Sequence, residues 1–315
     1  MLKKNMAMPQ KKAAQYCEIL SNTRVNGAIY RIDLRSRELA ENAGPGQFAM
    51  VKCDGSGVGG GNGGGGSGGA YLRRPFCFCD ACPEDGVAAF MYEVKGVGTT
   101  ALARLGAGET LDVLGPLGNG FDVLPGKSAI IGGGIGAFPL LLLAKRLCGV
   151  DGGPPDIFLG FRDAGAATLV DELRRLSSRL YVVSDDGSIG EKGLVTGAFR
   201  AALDAGGHYE RIYACGPQPM YRALKPICEA GGVPAQVSLE QRMGCGIGAC
   251  LVCACRLAVG RGNDTGALGA FNGAAHGALN GAAHDAHDAH DAHYTRYARV
   301  CKDGPVFDIM DVSFD

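Results

Sequence analysis

The sequence predicts a multidomain β plus α/β chain: an antiparallel barrel over residues 10–124, a parallel-sheet α/β domain over 125–240, and a small cysteine-bearing module over 241–315. Three observations predict it. Up to about residue 124, short alternating apolar segments are broken by Gly, Pro and Asp. From Lys127 the rhythm changes to strand and helix in alternation. From Gln241 the chain carries a compact cysteine run.

In the first region, residues 28–34, 47–53 and 88–94 alternate as half-buried strands do, and 111–114 leads into a turn-rich exit at 115–120. Strands this short and this closely spaced suit a small barrel. Eleven of the fifteen residues from 55 to 69 are glycine. Such a stretch buries too little surface to offset its ordering entropy, so a flexible loop is expected there rather than a phosphate cradle. Arg73 and Arg74 precede Pro75, Phe76 and Cys77 in an extended segment, where a guanidinium can pair bidentately with a phosphate. Gly96, Val97, Gly98, Thr99 and Thr100 open a helix-like stretch expected at 99–105, with a Thr hydroxyl capping its first N–H groups.

In the second region, 129–132, 156–161, 180–184, 211–215 and 235–239 read as strands, with helices at 136–147, 169–176 and 219–230 among the connections. Gly132, Gly133, Gly134, Ile135 and Gly136 lie at the first strand-to-helix turn. Glycines there let a pyrophosphate approach the backbone at a helix N-terminus. The spacing departs from the usual dinucleotide fingerprint, and Pro139 follows it, which points to another class of nicotinamide site. Cys215 and Gly216 end the fourth strand. Ligands of open α/β sheets sit beyond the carboxyl ends of the strands, so Cys215 and the glycine turn should line one cleft, although on spacing alone a small buried strand-end residue is the better reading of Cys215. Asp185 and Asp186 follow the third strand and would favour a free ribose hydroxyl over a 2′-phosphate if they reach that cleft.

Cys245, Cys250 and Cys253, with Cys301 near the C-terminus, give C-x₄-C-x₂-C…C, the plant-type spacing for four thiolates on a [2Fe–2S] cluster. Glycines 244, 246 and 248 let the backbone wrap closely around a compact inorganic core. Cys255 competes with Cys301 for the fourth position. Between them, residues 259–293 form a low-complexity insert ending in His284, His287, His290 and His293. Histidines three apart could gather a metal ion, but that period does not hold one helical face, so a solvated tract is expected.

Composition narrows the class. With 31 basic and 32 acidic residues the net charge is −1, which argues against nucleic acid or an anionic membrane as partner. The start of the chain lacks the apolar stretch of a signal peptide, and the longest apolar run is too short to span a bilayer. Thirteen cysteines, odd in number and scattered, read as thiols or metal ligands in a reduced, cytoplasmic protein.

In order, the chain carries Arg-Pro-Phe-Cys (74–77), Tyr-Glu-Val-x-Gly-x-Gly-Thr (92–99), Gly-Gly-Gly-Ile-Gly-x-x-Pro (132–139), Cys-Gly-Pro-x-Pro-Met (215–220) and Glu-x-Arg-Met-x-Cys-Gly-Ile-Gly-Ala-Cys (240–250). This series, and the closing segment 300–307, resembles the electron-transfer subunits of class B dihydroorotate dehydrogenase across nearly the whole chain apart from the two inserts. The resemblance implies a ferredoxin-reductase-like FAD barrel, a nicotinamide-binding domain and a C-terminal [2Fe–2S] domain. It implies FAD contacts at Arg74, Pro75, Phe76, Cys77, Met91, Tyr92, Glu93, Gly98 and Thr99; NAD contacts are expected at Gly133, Gly134, Gly136, Cys215 and Gly216 from the glycine turn and the strand end read above. Cluster ligation is implied at Cys245, Cys250, Cys253 and Cys301. Cys77 departs from the Ser or Thr usual in that family, and the gap from Cys253 to Cys301 replaces a short spacer. Loop closure grows only slowly costly with length, so the distant ligand remains feasible.

The implied function is an electron conduit of pyrimidine biosynthesis. A separate FMN-carrying catalytic subunit oxidises dihydroorotate, and this chain passes the electrons through cluster and FAD to NAD⁺, in a heterotetramer of two of each subunit. No catalytic acid or base is expected in this chain. One rival is a flavin and iron–sulfur reductase subunit serving a ferredoxin, hydrogenase or oxygenase. The other is a non-enzymatic module in which four cysteines hold structural zinc.

Overall fold

The computed structural model describes residues 14–54, 71–258 and 296–314. The expectations for 55–69 and 259–293 lie outside the described residues.

The first six strands close a barrel in the order β1–β2–β5–β4–β3–β6: β1 (Ala14–Asn26), β2 (Ile29–Arg35), β3 (Phe48–Lys52), β4 (Arg74–Cys82), β5 (Val87–Glu93) and β6 (Thr110–Leu117). Every pairing is antiparallel. In β6 buried and half-buried residues alternate along the whole strand, the mark of one face turned into a barrel core. That core holds Ile32, Leu34, Phe78, Phe90 and Val113, all fully buried. Helix α1 (Arg37–Asn42) starts at Ser36, whose hydroxyl accepts from the Leu39 N–H at 3.2 Å. Helix α2 (Val97–Leu102) begins two residues before the expected start. Thr99 is its third residue rather than its cap. The Thr99 Oγ1 reaches back to accept from the Lys95 and Gly96 N–H groups at 2.9 and 3.2 Å.

The second unit is a seven-stranded sheet in the order β10–β9–β8–β7–β11–β12–β15. Its strands are β7 (Ser128–Gly133), β8 (Asp156–Phe161), β9 (Arg179–Ser184), β10 (Glu191–Lys192), β11 (Arg211–Cys215) and β12 (Ala235–Ser238), paired in parallel. Helices α3 (Ala137–Leu147), α4 (Val170–Arg175), α5 (Val195–Asp204) and α6 (Gln218–Gly231) lie in the connections. Nine of the eleven α3 residues are buried, because this helix is covered by the sheet on one side and by barrel strand β4 on the other. Pro139 falls in its first turn, where a missing N–H breaks no helical bond. Lys145 on α3 clasps both oxygens of Asp80 on β4 at 2.8 and 2.7 Å, fastening sheet domain to barrel.

After β12 the chain enters the cysteine loop, then the hairpin partners β13 (Ala254–Leu257) and β14 (Arg296–Arg299). It then returns to the sheet: β15 (Val306–Asp308) adds antiparallel to β12. The third unit is therefore stitched to the second. One buried core runs from Phe48 and Met50 of the barrel through Ala214 and Val237 of the sheet to Cys253 and Cys301. No described helix is long and apolar enough to cross a membrane.

Candidate functional site: a cleft between barrel and sheet beside a four-thiol loop

At the start of β4 the two arginines separate in role. Arg73 is consumed structurally: its Nη2 meets Asp112 Oδ2 at 2.6 Å and its Nη1 donates to the Asp112 carbonyl at 3.1 Å. Among the described residues the Arg74 guanidinium hydrogen-bonds only to the carbonyls of Leu72 and Arg73, through one nitrogen, which leaves donors for an anionic ligand. Phe76 leans on Tyr92 with ring centres 5.6 Å apart, and Tyr92 stacks on Tyr30 at 5.7 Å. Met91 and Tyr92 are both buried, in different cores. What they offer a ligand is therefore backbone, whereas the half-buried Glu93 carboxylate reaches Lys95 at 2.7 Å. Gly98 is buried in the first turn of α2, and the Thr99 hydroxyl is used to shape that turn.

At the carboxyl ends of β7 and β11, the glycine turn and the Cys215–Gly216 pair are in direct backbone contact. A Cβ on Gly136 would overlap the Cys215 carbonyl oxygen, and one on Gly133 would stand 2.8 Å from Pro217 Cδ and 3.0 Å from Met220 Sδ. Gly134, at φ +56°, has open space where its Cβ would be, so the turn presents bare backbone to the cleft. Tyr221 locks the second turn: its hydroxyl accepts from the Gly216 N–H at 2.9 Å and donates to the Ser238 carbonyl at 2.6 Å.

Three groups from three parts of the chain feel one another electrostatically. Cys77 comes from the barrel, Cys215 from the sheet, and Glu240 from the segment leading to the cysteine loop. Burial pushes the Cys77 thiol up to about 12, with the Glu240 charge adding to it. Burial raises Cys215 well above the ordinary range, with Glu240 and then Cys77 contributing. Both thiols thus stay neutral. Glu240 is exposed along the cavity lined by Tyr221, Cys255 and Phe314, yet desolvation by the surrounding protein raises its carboxyl, with Lys95 pulling the other way. Glu240 was not singled out from the sequence. Its only signal is membership of the 240–250 motif, which does not reveal that two buried thiols feel its charge.

At the far end of the sheet edge the two aspartates also differ. Asp186 Oδ1 accepts from the Ser188 N–H at 2.9 Å and from its hydroxyl at 2.6 Å, and Ser188 Oγ accepts from the Ala164 N–H at 2.8 Å. Asp186 braces its own loop. Asp185 is exposed and its side chain has no hydrogen bond or ion pair among the described residues.

The cysteine loop folds on its glycines, Gly246 at φ +72° and Gly248 at φ +84°. Cys245 Sγ accepts from the Ala249 and Cys250 N–H groups at 3.3 and 3.4 Å. Burial opposes its ionisation, but these donors, the Ile247 N–H and the Cys250 thiol together pull Cys245 down to about 6. Cys253 and Cys301 are buried, and the Cys301 N–H points at Cys253 Sγ at 3.4 Å. Burial and then Cys253 push Cys301 up to about 12. Among the described residues no three His, Cys, Asp or Glu side chains close around a single ion. The four thiols stand instead as two pairs, 245 with 250 and 253 with 301, the division a two-iron centre requires. Backbone N–H groups aimed at sulfur suit thiolates, so the donor set fits such a centre. Cys255 sits in β13 opposite Ala298 and lines a cavity of about 390 Å³ with Tyr221 and Phe314.

Comparison with known proteins agrees. The chain is 37% identical over 245 residues to the dihydroorotate dehydrogenase B (NAD(+)) electron transfer subunit of Caldanaerobacter subterraneus, covering 78% of this chain and 89% of that one. It is 35% identical over 248 residues to the same subunit of Clostridium acetobutylicum, with the same coverage of each. Among solved structures it is similar to the NADH-dependent reduced ferredoxin-NADP oxidoreductase, at TM-score 0.71 and 26% identity over 95% of this chain and 90% of that chain. The ferredoxin reductase of carbazole 1,9a-dioxygenase shares the fold at TM-score 0.55 and 23% identity, over 70% of this chain and 66% of that one. No protein-family model matches the chain.

Proposed function

The chain belongs to the electron-transfer subunits of dihydroorotate dehydrogenase B (NAD⁺), and from that premise we propose how its residues carry electrons from a dihydroorotate-oxidising partner to NAD⁺. When bound, a [2Fe–2S] centre exchanges electrons singly and FAD exchanges them singly or in pairs, which joins a one-electron donor to a hydride acceptor.

The chain's own residues bind, orient and exclude water. Arg74, with guanidinium nitrogens left free, would hold the phosphates of FAD, and Pro75, Phe76, Cys77, Met91, Tyr92, Glu93, Gly98 and Thr99 would complete the FAD site. Gly133, Gly134 and Gly136 let the dinucleotide's pyrophosphate approach, and Cys215 and Gly216 border the nicotinamide. Cys245, Cys250, Cys253 and Cys301 supply the four thiolates. The units are 10–124 for FAD, 125–240 for NAD and 241–315 for the cluster. The observation that supports this reading is geometric: the Gly133–Gly136 turn packs directly on the Cys215–Gly216 backbone at the strand ends, and the cysteine loop packs on barrel residue Met50.

The partner is an FMN-containing catalytic subunit, assembled as two of each chain in the cytoplasm. A reductase subunit for another acceptor, such as a ferredoxin, is the second reading; the likeness to a ferredoxin-NADP oxidoreductase favours it as far as the modules go. Expression with and without the candidate FMN subunit separates the two. Dihydroorotate-dependent NAD⁺ reduction that needs both chains supports the proposal. Stable failure to assemble with that subunit, together with NADH-driven reduction of a ferredoxin, supports the alternative.

A further inference from the structure

Gly246 of the cysteine loop lies against Met50 of β3. A Cβ on Gly246 would overlap Met50 Cγ and stand 3.0 Å from Met50 Sδ and 3.3 Å from Leu117 Cδ1. Met50 is fully buried, and in the β3–β4 ladder it pairs with Pro75, while its neighbour Phe48 pairs with Cys77. The same buried core contains Phe48, Met50, Leu117, Cys253 and Cys301, with Cys77 packed against it. One side chain thus touches the thiol loop on one side and belongs, on the other, to the strand beside the flavin segment.

We infer that Met50 is the positioning residue that couples the cysteine loop to the flavin strand and provides the packed path for electrons between them. This rests on the proposed cluster and flavin sites. Each passage oxidises an iron by one electron and reduces the flavin by one. Two passages supply the electron pair of one hydride to NAD⁺, with one proton taken from solvent. Electron tunnelling falls off faster across a void than through packed atoms, so the path depends on filled volume between loop and strand. A packed interior holds few voids, and a shortened side chain leaves one because its surroundings relax only partly. Glycine at 246 is the complementary half, since only a missing side chain permits so close an approach.

The test uses the full chain, purified anaerobically, with iron and flavin contents measured first. The flavin is reduced rapidly by NADH, and its electron transfer to the cluster is followed optically, with spin coupling between the centres read by electron paramagnetic resonance. Met50→Leu, which conserves volume, stays within about twofold of the parent rate. Met50→Ala slows the intramolecular step roughly tenfold and weakens the spin coupling, with NADH reduction of the flavin unchanged. If Met50→Ala does not hold both centres, Met50→Val, which removes less volume, is read in its place, with slowing in the same direction but smaller. An unchanged intramolecular rate in a variant holding both centres overturns the inference, as does a Met50→Leu rate as slow as that of Met50→Ala. A parent chain without iron or flavin overturns the underlying site reading instead.

Discussion

The carbonyl oxygen of Cys215 occupies the space that a Cβ on Gly136 would need. This contact is how the glycine turn after β7 and the strand end of β11 become one cleft edge. Gly136→Ala must push the two backbones apart, a cost of about 1–3 kcal/mol by overpacking. The expected outcome is a lowered melting temperature and NAD(H) affinity weakened by roughly tenfold or more, with FAD content unchanged, measured by calorimetry and by the visible spectrum.

Asp185 and Asp186 are neighbours with different employment. Asp186→Asn weakens charge-assisted bonds to Ser188 and should lower the melting temperature slightly, leaving the preference between NAD⁺ and NADP⁺ where it was. Asp185→Asn removes the free carboxylate that would repel a 2′-phosphate, and should narrow that preference by roughly tenfold. Equilibrium binding of both dinucleotides to each variant checks this.

Glu240 gives a pH signature. Its carboxyl is raised in the folded state above the ordinary 4.5, so the folded protein holds that proton more tightly than the unfolded chain does. The unfolded state then binds fewer protons between the two values, and stability falls as pH rises from about 4.5 through the folded value. Glu240→Gln removes that loss. Melting temperatures of the two proteins should coincide below that window and diverge above it, the variant being the more stable.

Cys77 lies on β4, paired with Phe48 of β3. Since burial keeps its thiol neutral, Cys77→Ser exchanges one uncharged group for a better hydrogen-bond donor. The variant should retain FAD and activity, with a shifted flavin potential in a spectroelectrochemical titration. Loss of FAD would show that this side chain does not face the flavin.

Much of this architecture is legible in the chain. The strands Asp156–Phe161 and Arg211–Cys215 can be read to the residue, because central parallel strands are continuous apolar runs. Helix α1 is too short for its periodicity to register, burying only Leu39 and Ala40. Strand β15 has no local signal: three residues join the sheet only because β12, about seventy positions earlier, offers an edge. Glu240 is similar, since its electrostatic influence on Cys77 and Cys215 depends on three separate segments folding together. The cysteine spacing announces a cluster, but the pairing of Cys301 with Cys253, and the placement of Cys255 in β13, require the fold.

The most direct measurement is the iron, sulfide and flavin content of the purified chain beside Cys301→Ser and Cys255→Ser, all handled without oxygen. The account predicts about two irons, two sulfides and one FAD per chain in the parent and in Cys255→Ser, with the cluster lost and FAD kept in Cys301→Ser. Iron lost from Cys255→Ser but retained in Cys301→Ser would contradict it, as would a colourless parent carrying zinc.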